Sequence, residues 1–541
     1  MRVLLVWVMV LGLAGCGPGL TPTRLDDPSR LPDRYGIVAV QVVSNTEQLA
    51  PNVPNWTAVF AVDLDDIEKR YRLDARGTGL LNSRVFIGAL PPGRYALYNL
   101  HAFHQVGDVQ RWMNAPVPRS LGSFDVVEDG LTSLGAIIFQ PLYDASRQPR
   151  REGAPYLVFR VEDREDLSEF VADAHPGFFA RLRQDRLLGW ESGVNDPEAD
   201  AMLERLRRFA VGRHPHRAPD GTAVFGSVLG QLLWRTAEGS WERTDTGYVN
   251  EIAAVARDGD DWLLAGERGL VLRAASLDGP WQRLPGPGTQ VAVYWLHVDA
   301  LGRTHALGRS DSTVTFYRVE DGFTRWTPLE RFQQRSNFFF EGSGEVHAAV
   351  DGQGRIALFG DRRRVLYDPD TGQLHSSGGR DYVRLSQQPD GTLVGVAGHW
   401  WSGFGRPEVS ADLGASWSRI GQQVGVEASV EMQPLLPVLL PDGRELVLAH
   451  MTERHPTSGR IRRAEGIHTR LGRDGTVESW GARVEEGCER LHPNLSDPPR
   501  LLIAQCNDGR ILSSPDLGES WTLERDPGVS DDIQAPQGTQ A

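Results

Sequence analysis

The chain reads as a mainly β protein in three parts: a small N-terminal β-sandwich, a short helical connector and a C-terminal β-propeller of about seven blades. Three observations lead there. β-Branched runs with partial alternation fill residues 35–142, and apolar positions at helical spacing mark residues 150–215. From residue 220 to 525 a Trp-bearing turn recurs every 40–50 residues, the length of a four-stranded blade.

The first fifteen residues stand apart. A basic end (Met1, Arg2) precedes the apolar run from Val3 to Leu13, which is short for a bilayer span, and the run closes on Leu13-Ala14-Gly15-Cys16. This arrangement resembles the lipobox of bacterial lipoproteins. The resemblance implies that residues 1–15 are a signal peptide removed ahead of Cys16, and that Cys16 carries acyl chains of the palmitate class, several of which make a stable anchor. Gly17, where an Asp would imply inner-membrane retention, implies sorting to the outer membrane of a Gram-negative envelope, on its periplasmic or its surface face. Residues 16–34 are rich in Pro and polar side chains and are expected to act as a tether.

In the first domain, Tyr35–Val43 and Trp56–Leu64 are strand-like, and Pro91-Pro92-Gly93 predicts a turn with Gly93 at positive φ before a strand at Tyr95. Glu128-Asp129-Gly130 predicts a hairpin between Ser123–Val127 and Leu134–Phe139. The Leu-Pro-Pro-Gly-Arg-Tyr element with that hairpin resembles prealbumin-like modules, a likeness of fold that implies no activity. In the connector, Asp166-Leu-Ser-Glu169 has the spacing of a capping box, Pro176 should interrupt its helix, and Asp196-Pro197 should open a second helix with Met202, Leu203, Leu206 and Phe209 on one stripe. His214 and His216 then fall in a Pro-rich loop with no carboxylate partner, a weak metal candidate.

The repeats are the most informative feature. Ser410-Ala-Asp412-Leu-Gly414-Ala-Ser416-Trp417 matches Ser514-Pro-Asp516-Leu-Gly518-Glu-Ser520-Trp521 at every defining position. Worn copies end at Trp241, Trp281, Trp326 and Trp480, and Asp368-Pro-Asp370-Thr-Gly372 fills the remaining slot. The steps run from 40 to 48 residues except for one of 63 ending at Trp480, which predicts an insertion within 418–480, around Ala449–Pro456. Such a turn needs the Asp carboxylate to bond turn amides and a Gly to take a conformation that side chains resist. The motif resembles the Asp-box of sialidase-type (BNR) propellers, in which this Asp is structural. The sialidase arginine motif, Phe/Tyr-Arg-Ile/Leu-Pro, is not found; Phe159-Arg160-Val161 is the nearest stretch and lies before the propeller.

Charge and cysteines bound the function. A net charge of −14 argues against nucleic acid as a partner. Of three cysteines, Cys16 is assigned to lipid, and Cys488 and Cys506 flank two consecutive strands where an antiparallel pairing would allow a disulfide in an oxidising compartment. No Cys/His spacing suggests a metal, and no motif suggests a cofactor or a catalytic residue. His399-Trp400-Trp401-Ser-Gly-Phe404 offers aromatic side chains beside glycines, the composition of a ligand-gripping loop, so Trp400, Trp401 and Phe404 are the candidate contacts. Asn337-Phe338-Phe339-Phe340 reads as a strand, and 526–541 as a disordered tail. The reading is a membrane-anchored envelope lipoprotein whose propeller binds a protein or glycan without catalysis. The alternative is a propeller glycosidase, sialidase-like or of the two-carboxylate kind, acting on surface glycans.

Overall fold

A computed structural model describes residues 20–22, 25, 31, 33–44, 56–76, 83–106, 109–142, 156–161, 167–191, 197–208, 212–333, 345–399, 403–420, 436–454, 461–473, 476–485, 487–488 and 490–528. Eleven short strands build the N-terminal part: β1 (Leu20–Pro22), β2 (Gly36–Ser44), β3 (Trp56–Asp63), β4 (Arg70–Arg76), β5 (Ser83–Leu90), β6 (Gly93–Val106), β7 (Val109–Pro116), β8 (Phe124–Val126), β9 (Leu131–Pro141), β10 (Tyr156–Val161) and β11 (Leu187–Leu188). They form one sheet in the order β10-β9-β2-β5-β4-β3-β6-β7, with β1 added to β4, β8 to β6 and β11 to β9.

This sheet curls until its halves face each other. Trp56 of β3 meets Phe139 of β9 at 4.9 Å between ring centroids, although three strands separate them in the sheet. Tyr156 Oη on one edge strand lies 3.5 Å from the Pro116 carbonyl on the other. The two layers expected of a sandwich are thus two halves of one continuous sheet, closed around Val38, Val40, Phe86, Tyr95, Phe124 and Ile137.

Several local expectations change. Gly93 is not at positive φ; it begins β6, while Tyr95 Oη donates to the Pro91 carbonyl at 2.8 Å and holds the turn. β8 pairs with β6 rather than forming a hairpin with β9. Part of the stretch read as a tether is bound to the domain, since β1 pairs in parallel with Arg70–Arg72 and Leu25 is buried against the sheet.

Helix α1 (Ser168–Ala174) starts behind Leu167, and Asp166, the expected first residue of a capping box, lies outside the described residues. Pro176 ends it and opens α2 (Pro176–Phe179), as its missing N–H dictates. Helix α3 (Pro197–Arg208) starts at Pro197 and buries Met202, Leu203 and Leu206; Phe209 lies outside the described residues. Among the described residues no helix is long and apolar enough to cross a membrane.

The rest is a seven-bladed propeller, each blade a four-stranded meander paired in sequence order. The blades span residues 214–245, 252–284, 292–333, 347–378, 382–419, 438–484 and 490–525. Every one of the seven repeat markers falls between the third and fourth strands of its blade. The long step has two sources: the 420–437 connection between blades, and a sixth-blade hairpin of unusual length, Glu445–Arg454 with Ile461–Arg473.

Among the described residues no strand is exchanged to close the ring, because the first and last blades each take their four strands from one stretch of chain. Side chains close it instead. Arg235 donates two bonds to Glu524 at 2.9 and 2.7 Å, Trp241 Nε1 donates to the same carboxylate at 2.7 Å, and Phe225, Leu233, Ile503 and Ile511 pack between the two blades. Cys488 and Cys506 are disulfide-bonded across the start of the last blade.

Candidate functional site

In a ring of four-stranded meanders, alternate connections emerge on opposite faces. First-to-second and third-to-fourth turns share one face; second-to-third turns and the connections between blades share the other. The two faces of this propeller carry different chemistry.

The first face holds the Ser-x-Asp-x-Gly-x-Ser-Trp turns. Asp412 Oδ1 accepts from Ser410 Oγ at 2.8 Å and from the Ser416 amide at 2.9 Å, and Oδ2 accepts from Ser416 Oγ at 2.6 Å. Ser410 Oγ in turn accepts from the Gly414 amide at 2.8 Å. Asp516 repeats the pattern with Ser514, Ser520 and Gly518 at the same four distances. The Ser416 hydroxyl and amide hold the Asp412 carboxyl down at about 2, and those of Ser520 lower Asp516. Both oxygens of each carboxylate are thus engaged by hydrogen bonds within their own turn. Each Trp then bridges to the preceding blade: Trp417 packs on Phe359 of the fourth blade beside Tyr382 of its own, and Trp521 Nε1 donates to Thr469 Oγ1 at 3.0 Å.

The opposite face receives the N-terminal part. Val228 and Leu229, in the second-to-third turn of the first blade, enter a buried apolar cluster with Val43, Ala136, Ile138, Leu142 and the inner face of α3. In the equivalent turn of the second blade, Arg268 Nη1 donates to Gln41 Oε1 at 2.7 Å, and Glu267 accepts from Ser83 Oγ at 2.5 Å and from the Ser83 amide at 3.3 Å. Between blades, Thr289 donates its amide and hydroxyl to Asp173 at 2.9 and 2.7 Å, and Arg207 of α3 pairs with Asp245 and the Tyr248 carbonyl. Leu229 and Arg268 both sit at φ 56°, followed by glycines at positive φ. Left-handed backbone at a side-chain-bearing residue is costly, and here it aims both side chains out of the propeller at the neighbouring domain.

Beneath this dock lies a pair of buried carboxylates, Glu251 and Glu267. Burial and the neighbouring Glu251 charge push Glu267 up to about 7. His214, expected in a loop without an acidic partner, is in the first strand of the propeller, His214–Arg217, with Nε2 2.7 Å from Glu251 Oε1. The partner comes from the connection into the next blade, which sequence spacing cannot reveal. His216 is half-buried with Nε2 3.1 Å from the Ala253 carbonyl, and desolvation lowers it to about 3. No group of His, Cys, Asp and Glu suited to a metal occurs among the described residues.

Of the candidate contacts, Trp400 and Trp401 lie outside the described residues, as do Cys16 and Asn337–Phe340. Phe404 falls in the strand Gly403–Ser410, its backbone paired with Gly398. The described strands on either side of residues 400–402, Leu393–His399 and Gly403–Ser410, are the second and third of the fifth blade. The interdomain set (Ser83, Gln41, Leu229, Glu267, Arg268) has no motif in the sequence. A Gly-bearing turn repeated in two adjacent blades, Ser227-Val-Leu-Gly230 and Glu267-Arg-Gly269, was its one visible sign.

No known family pattern matches the chain, and no curated protein does. Solved structures resemble it at low similarity. BamB from Moraxella catarrhalis is 14% identical with a TM-score of 0.35, over 58% of this chain and 85% of that one. YCF48 from Cyanidioschyzon merolae is 13% identical with a TM-score of 0.36, over 57% and 95%. A YCF48 structure bound to D1 peptide is 13% identical with a TM-score of 0.35, over 57% and 92%.

Proposed function

We propose that this chain is an envelope lipoprotein, lipid-anchored through Cys16 to the outer membrane, whose Asp-box propeller holds a protein or glycan partner without chemical turnover. The observation that carries the binding reading is the division of labour between faces. The Asp412 and Asp516 carboxylates are consumed by their own turns, while the opposite face already seats one folded domain through turn side chains of two blades. A rigid ring that holds its own N-terminal domain this way offers the corresponding connections of its remaining blades to another partner, with Trp400, Trp401 and Phe404 as the named contacts. Crosslinked pull-down from cell envelopes should recover a partner with the wild type and lose it with Trp400→Ala/Trp401→Ala; equal recovery removes that loop from the reading. Turnover of fluorogenic glycosides by the purified chain, abolished by a single carboxylate substitution, would replace it with a glycosidase. Cys16→Ser should release the chain from the membrane fraction; unchanged anchoring and size would refute the lipid attachment.

A further inference from the structure

The curled N-terminal sheet has two ends with opposite character. One end faces the propeller: Val43 at the end of β2, Ser83 at the start of β5 and Ile138 in β9 all meet propeller turns or the α3 cluster. The other end gathers the β3–β4 turn, the β5–β6 turn and the starts of β2 and β9, because β3 runs into that end and β4 runs away from it. Six large apolar side chains are exposed among the described residues, and three of them sit on this one end. Leu64 (39% exposed) and Ile67 (65%) are in the β3–β4 turn, and Leu187 (51%) pairs with the first residue of β9. The others, Leu301, Val477 and Leu523, are scattered over different blades.

β1 starts at the same end. It runs parallel to β4 with Leu20, its first residue, opposite Arg70, the residue that closes the β3–β4 turn. Only Gly17, Pro18 and Gly19 lie between Cys16 and β1, a reach of at most about 14 Å even when extended. A lipid on Cys16 therefore brings this end to the bilayer. Around this end Lys69 pairs with Asp66, Arg34 with Glu128, Arg183 with Asp185 and Arg94 with Glu191, while the exposed Asp65 and Glu68 of the β3–β4 turn add negative charge, so the approach is carried by the lipid and the apolar tips and not by charge.

We propose that this end of the N-terminal domain is a membrane-docking surface, seated on the lipid bilayer through Leu64, Ile67 and Leu187. The inference rests on the reading of Cys16 as lipidated, and it adds an orientation. The N-terminal domain is a fixed spacer, and β2, nine residues long, holds the propeller up to about 30 Å from the lipid surface. The anchor and the apolar tips act together, since isolated apolar side chains bind a bilayer weakly on their own.

The test uses the full lipidated chain in vesicles of phosphatidylethanolamine and phosphatidylglycerol with brominated acyl chains. Ile67→Cys, Leu187→Cys and Leu301→Cys each carry an NBD label; Cys16 is acylated and Cys488 and Cys506 are bonded to each other, so the new thiol is the one modified. Labels at 67 and 187 should shift to the blue and be quenched by bromine, whereas the label at 301, on a propeller turn, should do neither. A chain that floats with the vesicles while labels at 67 and 187 behave like that at 301 overturns the docking surface and leaves the anchor intact. A chain that does not float overturns the anchor, and the docking surface with it.

Discussion

Two kinds of turn on opposite faces of the propeller use the same backbone device for different ends. Leu413-Gly414 and Leu517-Gly518 on one face, and Leu229-Gly230 and Arg268-Gly269 on the other, each place a side-chain-bearing residue and then a glycine at positive φ. On the first face the cost is offset within eight residues, because Ser, Asp and Ser satisfy the turn amides locally. On the second it is offset by another domain, through Gln41 from 227 residues away and through the cluster around Val43 and Ile138. Strain of this kind persists only where its surroundings over-determine it. Local satisfaction makes a turn that stands alone; distant satisfaction makes a turn that reports on domain docking.

The largest effect expected to break this contrast is at Leu229. Truncation to Ala in a buried cluster should cost about 2–5 kcal/mol. Because the lost contacts lie between domains, Leu229→Ala should split thermal unfolding into two transitions and expose the connector to limited proteolysis; a single transition at the wild-type temperature would show that the dock does not depend on this residue.

The next effect is in pH. A carboxyl raised from its usual 4.5 to about 7 keeps its proton in the folded state while the unfolded state loses one, so stability falls as pH rises from about 4.5 to 7 and stays lower above. The dock should lose up to about 3 kcal/mol across that window, and Glu267→Gln should flatten the slope. Melting temperatures between pH 4.5 and 8 read it directly, and an unchanged slope in the variant would assign the dependence elsewhere.

Smaller effects belong to the self-contained turns. Asp412→Ala or Asp516→Ala removes a cap-like acceptor and should cost about 1–2 kcal/mol each, with partner recovery in the pull-down unchanged. Lost binding with unaltered stability would make these acids functional after all. Their pH response has the opposite sign to that of Glu267. Asp412 is depressed to about 2, so its contribution is complete above the ordinary carboxylate range and disappears as pH falls from about 4 to 2. Hydrogen exchange at the Ser416 and Ser520 amides between pH 2 and 5 should follow this smallest change, and flat protection across that range would contradict it.

Legibility in the sequence divides along the same line. The seven repeat markers were readable because each needs only its neighbours: a hydroxyl, a carboxylate and a glycine within one turn, and a Trp at its end. All seven fall at one topological position, and the Cys488–Cys506 pair, flanking consecutive strands, is bonded. Expectations failed where the deciding partner is remote. β8 adds to β6 because Tyr95 pairs with Phe124, not because of the turn that follows β8. His214 has Glu251 from the connection into the next blade, and residues 20–22, with their Pro, read as tether until β4 supplies an edge.

The class of each part, the blade period and the chemistry inside each turn are legible along the chain, since they follow from periodicity and from bonds spanning a few residues. That the N-terminal strands form one curled sheet, that this sheet is clasped to the first blades, and which of its ends takes up β1 emerge on folding. Those outcomes depend on register between strands far apart in the chain and on the burial of Glu267, Arg268 and Leu229 under a domain whose contacts no local pattern records.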